Sequence, residues 1–166
     1  DDDRIGVNAS GTRKLHCHVI TLGDTISSIG ITEEGELRGF EALIRWKDEE
    51  LGDIAPSVFI PLAEETGLII PIGRWVLKSA ISTLKTWQEK YNFSGVMSVN
   101  VSPIQLRSDD FLYDLDNLID HYKINPGLLE IEITEGVMIN NMTDTIEKLK
   151  AIKARGLRVS LDDFGT

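Results

Sequence analysis

GFEALIRW, residues 39–46, sets a carboxylate, Glu41, and a guanidinium, Arg45, inside an otherwise apolar segment. A buried glutamate is costly without a cationic partner. Pairing of Glu41 with Arg45, or with other protein groups, is the plainest account of this stretch taken alone. Three later segments repeat the pattern of an apolar strand ending in an oxygen donor: VMSVNVS (96–102), LLEIEITE (128–135) and LRVSLDDFGT (157–166). Four such ends in one chain are hard to explain as packing charges.

Working outward, the segments between these strands read as helices. Ile72, Val76, Leu77, Ala80, Ile81, Leu84 and Trp87 recur at helical spacing and predict a core-facing amphipathic helix over 72–90. Trp75 and Trp87 belong to its packing. Ser102-Pro103 predicts a break after the strand over 96–101. Ser108 is expected to cap the next helix, with Asp109 and Asp110 complementing its dipole. Its apolar stripe is Phe111, Leu115, Leu118 and Ile119, with His121 as a surface residue near its end. In the strand over 128–134, Glu130, Glu132 and Thr134 share one face, and Leu129, Ile131 and Ile133 the other. Asn141 or Thr143 opens a helix carrying Ile146, Leu149 and Ile152, closed by Gly156. A strand over 157–162 follows.

Upstream, the patterning is weaker. Residues 1–18 read as a polar linker or tail, and His16 and His18 are too few for a metal site. The stretch 19–31 predicts one irregular strand, and TEEG at 32–35 a turn into the strand over 36–45, so the two form a hairpin. Residues 47–52 read as a charged loop. A short helix is expected over 61–66, started by Pro61 and stopped by Gly67, with Glu64 and Glu65 either on a solvated face or supporting a site.

Alternating strands and helices predict an α/β fold with a parallel sheet. Ligands in such sheets bind at the carboxyl ends of strands, where Glu41, Asn100, Glu132 and Asp162 fall. These hard oxygen donors suit Mg2+ or Mn2+ rather than zinc. One reading is a divalent-metal site for a phosphorylated substrate, with Arg45 as a planar donor fork for a phosphate. The other is a set of satisfied polar groups at sheet ends.

Composition narrows the field. The chain has 166 residues, a net charge of -10 and 42% hydrophobic residues, so a packed core is feasible. Its acidity argues against a nucleic-acid polymer as partner. A lone Cys17 excludes an internal disulfide framework and fits a reducing compartment. No apolar run reaches membrane-spanning length.

Taken together, GFEALIRW, FIPLAEETGLI (59–69), IGRWVL (72–77), VNVSPIQL (99–106), LEIEITE (129–135) and LDDFGT (161–166) resemble the EAL domain family over about residues 36–166. The resemblance implies a modified TIM-type (β/α)8 barrel with a reversed first strand, of which this chain carries roughly the first half. Residues 1–18 stand outside as a linker or tail, and 19–166 form the N-terminal part of the domain. The implied activity is metal-dependent hydrolysis of cyclic di-GMP to pGpG. By the same resemblance Glu41, Asn100, Glu132 and Asp162 match the metal ligands and Asp163 serves a second metal. Glu41, Asp162 and Asp163 form the catalytic set, and Leu43 and Arg45 bind substrate. Gln105 matches a glutamine without an assigned role.

Two departures stand out. The family's aromatic-Gln-Pro motif is not found about where Gly23-Asp24-Thr25-Ile26 stands, and the family's later lysine and glutamates are not in the chain. The expectation is therefore a piece of a longer cytoplasmic protein or membrane-tethered protein, with diguanylate cyclase or sensor domains attached and a homodimer allowed. The 166 residues alone are expected to be inactive. The alternatives are a catalytically inactive cyclic di-GMP receptor or interaction module of the same fold, and an unrelated metal-dependent hydrolase.

Overall fold

In the computed structural model, the structure describes residues 5–6, 14–19, 38–48, 51–134 and 142–162, with side chains for 38–48, 51–133 and 143–161. The order is β1 (Ile5–Gly6), β2 (Lys14–Val19), β3 (Gly39–Asp48), β4 (Gly52–Ile54), α1 (Pro56–Glu65), α2 (Ile69–Tyr91), β5 (Val96–Asn100), α3 (Pro103–Arg107), α4 (Phe111–Tyr122), a 3-10 turn (Pro126–Leu128), β6 (Leu129–Thr134), α5 (Met142–Ala154) and β7 (Arg158–Asp162).

The strands form one mixed sheet in the order β1-β2-β3-β5-β6-β7, with β4 paired to β3. From β3 through β7 the main run is parallel, each step crossing over through helices. β2 is antiparallel to β3, pairing Leu15 with Trp46 and Val19 with Ala42.

The helices cover one face of this sheet. Ala42, Met97, Val99, Leu129, Ile131 and Ile133 point to them and join Val76, Leu77, Ala80, Ile81 and Leu84 of α2 in a single core. The stripe on α2 follows the 3.6-residue period, so the helix buries one side along its whole length. It ends at Asn92, which takes the left-handed conformation at φ 51° and bonds back to the Trp87 carbonyl. Trp87 packs edge-on against Phe40 and Phe93, at 4.9 and 5.6 Å between ring centroids, as a packing residue should.

Several expectations shift in position. A strand antiparallel to β3 lies at Lys14–Val19, all but its last residue within the stretch expected as a linker or tail, and residues 20–31 of the strand expected over 19–31 lie outside the described residues. The alternation of Leu15, Cys17 and Val19 with Lys14, His16 and His18 has the two-residue period of a strand. The turn at 32–35 lies outside the described residues. The loop expected over 47–52 is instead a second hairpin: β3 continues to Asp48 and pairs with β4 through Lys47 and Asp53. Gly52 supplies φ 72° there, and Asp48 Oδ1 accepts from the Leu51 amide at 3.1 Å.

The first helix begins at Pro56, five residues before Pro61, because Pro56 takes the N1 place where a missing amide costs nothing. Pro61 sits inside it. Gly67 still follows its end, at φ 73°. Ser102-Pro103 ends β5 as expected but also opens α3, an element the sequence reading did not contain. Ser102 Oγ accepts from the Gln105 amide at 3.2 Å, and Pro103 is N1. α4 is capped at Asp110 without a side-chain bond, so Ser108 is not its cap. Ser108 instead offers its carbonyl to Phe111 N and to Lys148 Nζ.

Candidate functional site

The face of the sheet turned away from the helices is polar. Register places Glu41 beside Ser98, Ser98 beside Glu130, Asn100 beside Glu132, and Glu132 beside Ser160. Side chains alternate along each strand, so these residues share the uncovered face. The two-sided pattern expected for 128–134 is therefore present: Ile131 and Ile133 are in the core, and Glu130 and Glu132 are on the other side.

Asn100 and Glu132 lie toward the carboxyl ends of β5 and β6, and Glu41 lies early in β3, near the end of the stretch that pairs with β5. Asn100 Nδ2 donates to Glu41 Oε1 at 2.6 Å across 59 residues of sequence. That bond turns the amide nitrogen to the carboxylate and leaves Oδ1 as the acceptor side of the carboxamide. Arg45 follows at the end of β3, where Nη1 donates to the Ile44 carbonyl at 2.9 Å, one of the five guanidinium donors.

The backbone of Asp162 is the last position of β7 and pairs with Thr134, which puts it at the same end of the sheet. Asp163 lies outside the described residues. The donor set fits a hard divalent cation: carboxylate and carboxamide oxygens from neighbouring strands, without thiolate. Among the described residues, no cluster of three or more His, Cys, Asp or Glu side chains gathers for a metal. The described part of the candidate centre is thus two carboxylates and an amide.

One register layer further in, Glu130 is 6% exposed. Ser98 Oγ donates to its Oε2 at 3.2 Å, and Arg38 Nη2 stands 3.5 Å away. These partners offset the cost of a buried carboxylate. Ser160 Oγ is buried without a hydrogen-bond partner among the described residues.

A cavity of about 300 Å3 opens beside the oxygen donors. Leu43 and Arg45, singled out for substrate, line it together with Asn100 and Glu132 of the expected metal set; Glu41 is not part of its wall. Pro56, Ile60, Ile69 and Ile72 supply an apolar wall. Glu64 also lines it, whereas Glu65 is exposed, which separates the two neighbours that the sequence left undecided. Gln105 and Gly73 complete the wall. No periodicity marks Gln105 as part of a site; its place depends on α3, whose Ser-Pro start was the available signal.

Parallel strands joined by crossover helices, with an antiparallel strand beside the first of them, define the broad class: an α/β, barrel-type domain. The EAL domain model matches residues 29–166, and the chain belongs to the EAL domain family. It is 39% identical over 134 residues to the oxygen sensor protein DosP of Escherichia coli, covering 81% of this chain and 17% of that protein. It is 35% identical over 136 residues to the cyclic di-GMP phosphodiesterase PdeR of Escherichia coli, covering 82% and 20%. The chain thus spans only a small part of the curated relatives it matches.

Among solved structures, the PaMucR phosphodiesterase in its c-di-GMP complex superposes with a TM-score of 0.75 at 34% identity, covering 80% of this chain and 53% of that one. The EAL enzyme Bd1971 in its cAMP- and cyclic-di-GMP-bound form gives a TM-score of 0.75 at 30% identity, covering 81% and 38%. The expected barrel architecture agrees with these neighbours. No helix among the described residues is long and apolar enough to cross a membrane.

Proposed function

We propose that this chain carries the first part of a cyclic di-GMP phosphodiesterase site, which hydrolyses the cyclic dinucleotide to pGpG with Mg2+ or Mn2+. The observation that carries the reading is the meeting of Asn100 and Glu132 with Leu43 and Arg45 on one cavity, with Glu41 bonded to Asn100 beside it. The names of the relatives and the ligand of the PaMucR structure support it.

Glu41, Asn100 and Glu132 would hold the ion, and Asp162 and Asp163 join them in the proposal by their match to the family motif. When bound, the ion offsets charge on the phosphodiester and lowers the pKa of water. Arg45 presents its planar fork to a phosphate oxygen, and Leu43 excludes water beside it. Asn100 fixes the rotamer of Glu41 through their hydrogen bond, so the donors need little rearrangement. Attached cyclase or sensor domains and a cytoplasmic site of action belong to the same proposal. The bifunctional name of the Pseudomonas aeruginosa relative MucR supports the first, and the lone cysteine supports the second.

The test is chromatography of cyclic di-GMP incubated with the full-length polypeptide and Mn2+ or Mg2+. Appearance of pGpG, abolished by EDTA and by Glu41→Gln, is the expected result. Tight binding without turnover moves the assignment to a receptor. Neither binding nor turnover removes cyclic di-GMP from the site.

A further inference from the structure

Gln105 stands on the cavity wall but is only 4% exposed. Its backbone is fully engaged: the amide donates to Ser102 Oγ at 3.2 Å and the carbonyl accepts from Ser108 N at 3.1 Å. Its carboxamide has no hydrogen-bond partner among the described residues. A carboxamide held on a cavity wall without a protein partner keeps its donor and its acceptor available to a ligand that enters the cavity.

Gly73 shows that the placement is built in. A Cβ at Gly73 would overlap the Gln105 carboxamide, so the missing side chain on α2 is the slot that carboxamide occupies. Gly73 lines the same cavity, as do Ile69, Ile72 and Val76. The short helix α3, capped by Ser102 and started by Pro103, fixes the other side. A polar group is thus held in an apolar wall, on the cavity that also contains Arg45, Asn100 and Glu132.

We infer that the Gln105 carboxamide binds the edge of a nucleobase lactam in this cavity, seated there by the Gly73 slot. A carboxamide offers an acceptor oxygen next to a donor nitrogen. Guanine offers the complement, N1–H next to O6. Gln105 Oε1 accepts from N1–H while Nε2 donates to O6. The cavity is at the small end of ligand pockets, with room for one base rather than two. This deepens the reading that the site binds cyclic di-GMP and rests on it.

The test is calorimetric titration of the full-length polypeptide with cyclic di-GMP, and separately with Mn2+. Gln105→Met keeps the volume and removes both polar atoms. It is expected to weaken cyclic di-GMP binding about tenfold or more while leaving Mn2+ affinity and melting temperature unchanged, as lost hydrogen bonds of ordinary strength require. Gly73→Ala displaces the carboxamide and gives a similar loss. The double variant shows little further loss, because both changes act through one group.

A measurement without any variant covers the case in which these proteins fail to fold. The unaltered protein should bind a cyclic dinucleotide methylated at guanine N1 at least about tenfold more weakly than cyclic di-GMP, since the methyl removes the donor hydrogen. Unchanged affinity for that analogue, or for cyclic di-GMP in Gln105→Met, overturns the role of Gln105 and leaves the phosphodiesterase reading standing. Failure of the unaltered protein to bind cyclic di-GMP at all overturns both.

Discussion

Asn100 Nδ2 donates to Glu41 Oε1 at 2.6 Å, joining the carboxyl end of β5 to the part of β3 that runs parallel beside it. The contact makes each side chain the support of the other. Asn100→Ala removes one oxygen donor and loosens the second. We expect Mn2+ affinity to fall about 10–100-fold, the usual effect of losing such support, with the fold retained. Titration of Mn2+ against intact and altered protein, with circular dichroism as the control, measures this.

Gly39 lies where β3 begins to pair with β5, opposite Val96. A Cβ there would overlap the backbone of Val96, which cannot swing aside as a side chain can. Gly39→Ala should destabilise by about 3 kcal/mol, the upper range for overpacking, by separating the strands that deliver Glu41 and Asn100. Urea unfolding reports the change in midpoint. An unaltered midpoint contradicts the close approach.

Leu84 is fully buried at the centre of the stripe that α2 presents to the sheet. Leu84→Ala removes its contacts and leaves a cavity, and should cost about 2–5 kcal/mol. Denaturant unfolding should show that loss as a lowered midpoint, and an unaltered midpoint contradicts the burial.

Arg155, just beyond α5, grips Asp116 of α4 with Nε at 2.6 Å and Nη2 at 2.8 Å. The hydrogen bonds hold the Asp116 carboxyl below its ordinary value of 3.8, against the opposing effect of burial, and the charge of Arg155 adds to the lowering. A carboxyl whose folded value is lowered stabilises the fold at neutral pH, fully so above the ordinary carboxylate range. That contribution fades as pH falls through the ordinary value to the lowered one. Because Asp116 keeps 43% of its side chain exposed, solvent screening limits the effect to roughly 0.5–1 kcal/mol. Asp116→Asn should show this loss at pH 7 and converge with the unaltered protein at the acid end of the window, as read by melting curves across pH.

Much of this was legible in the chain. The period of two in 129–133 separated Ile131 from Glu132, and the stripe on 72–87 anticipated the buried side of α2. Both patterns are local consequences of backbone geometry, so sequence spacing reports them. Helix starts were less legible. Pro56 and Pro61 both suit a first turn, and only the packing of Phe59 and Ala63 selects the earlier one. β2 was obscured for a related reason: Lys14–Val19 has strand periodicity, but its strand character depends on pairing with β3.

The sequence by itself determined the alternation of strands and helices, the family motifs, and which residue types can hold a hard cation. The tertiary structure decided which of these meet. Glu41 and Asn100 are 59 residues apart, and no local pattern fixes the register that sets Ala42 beside Val99 and Asn100 beside Glu132. That register, with the crossover helices, creates the cavity and turns Gln105 and Glu64 toward it while leaving Glu65 exposed. Sequence spacing encodes the direction of a side chain relative to its own element. The distance between elements arises only when the buried faces of several helices and strands must pack together at once.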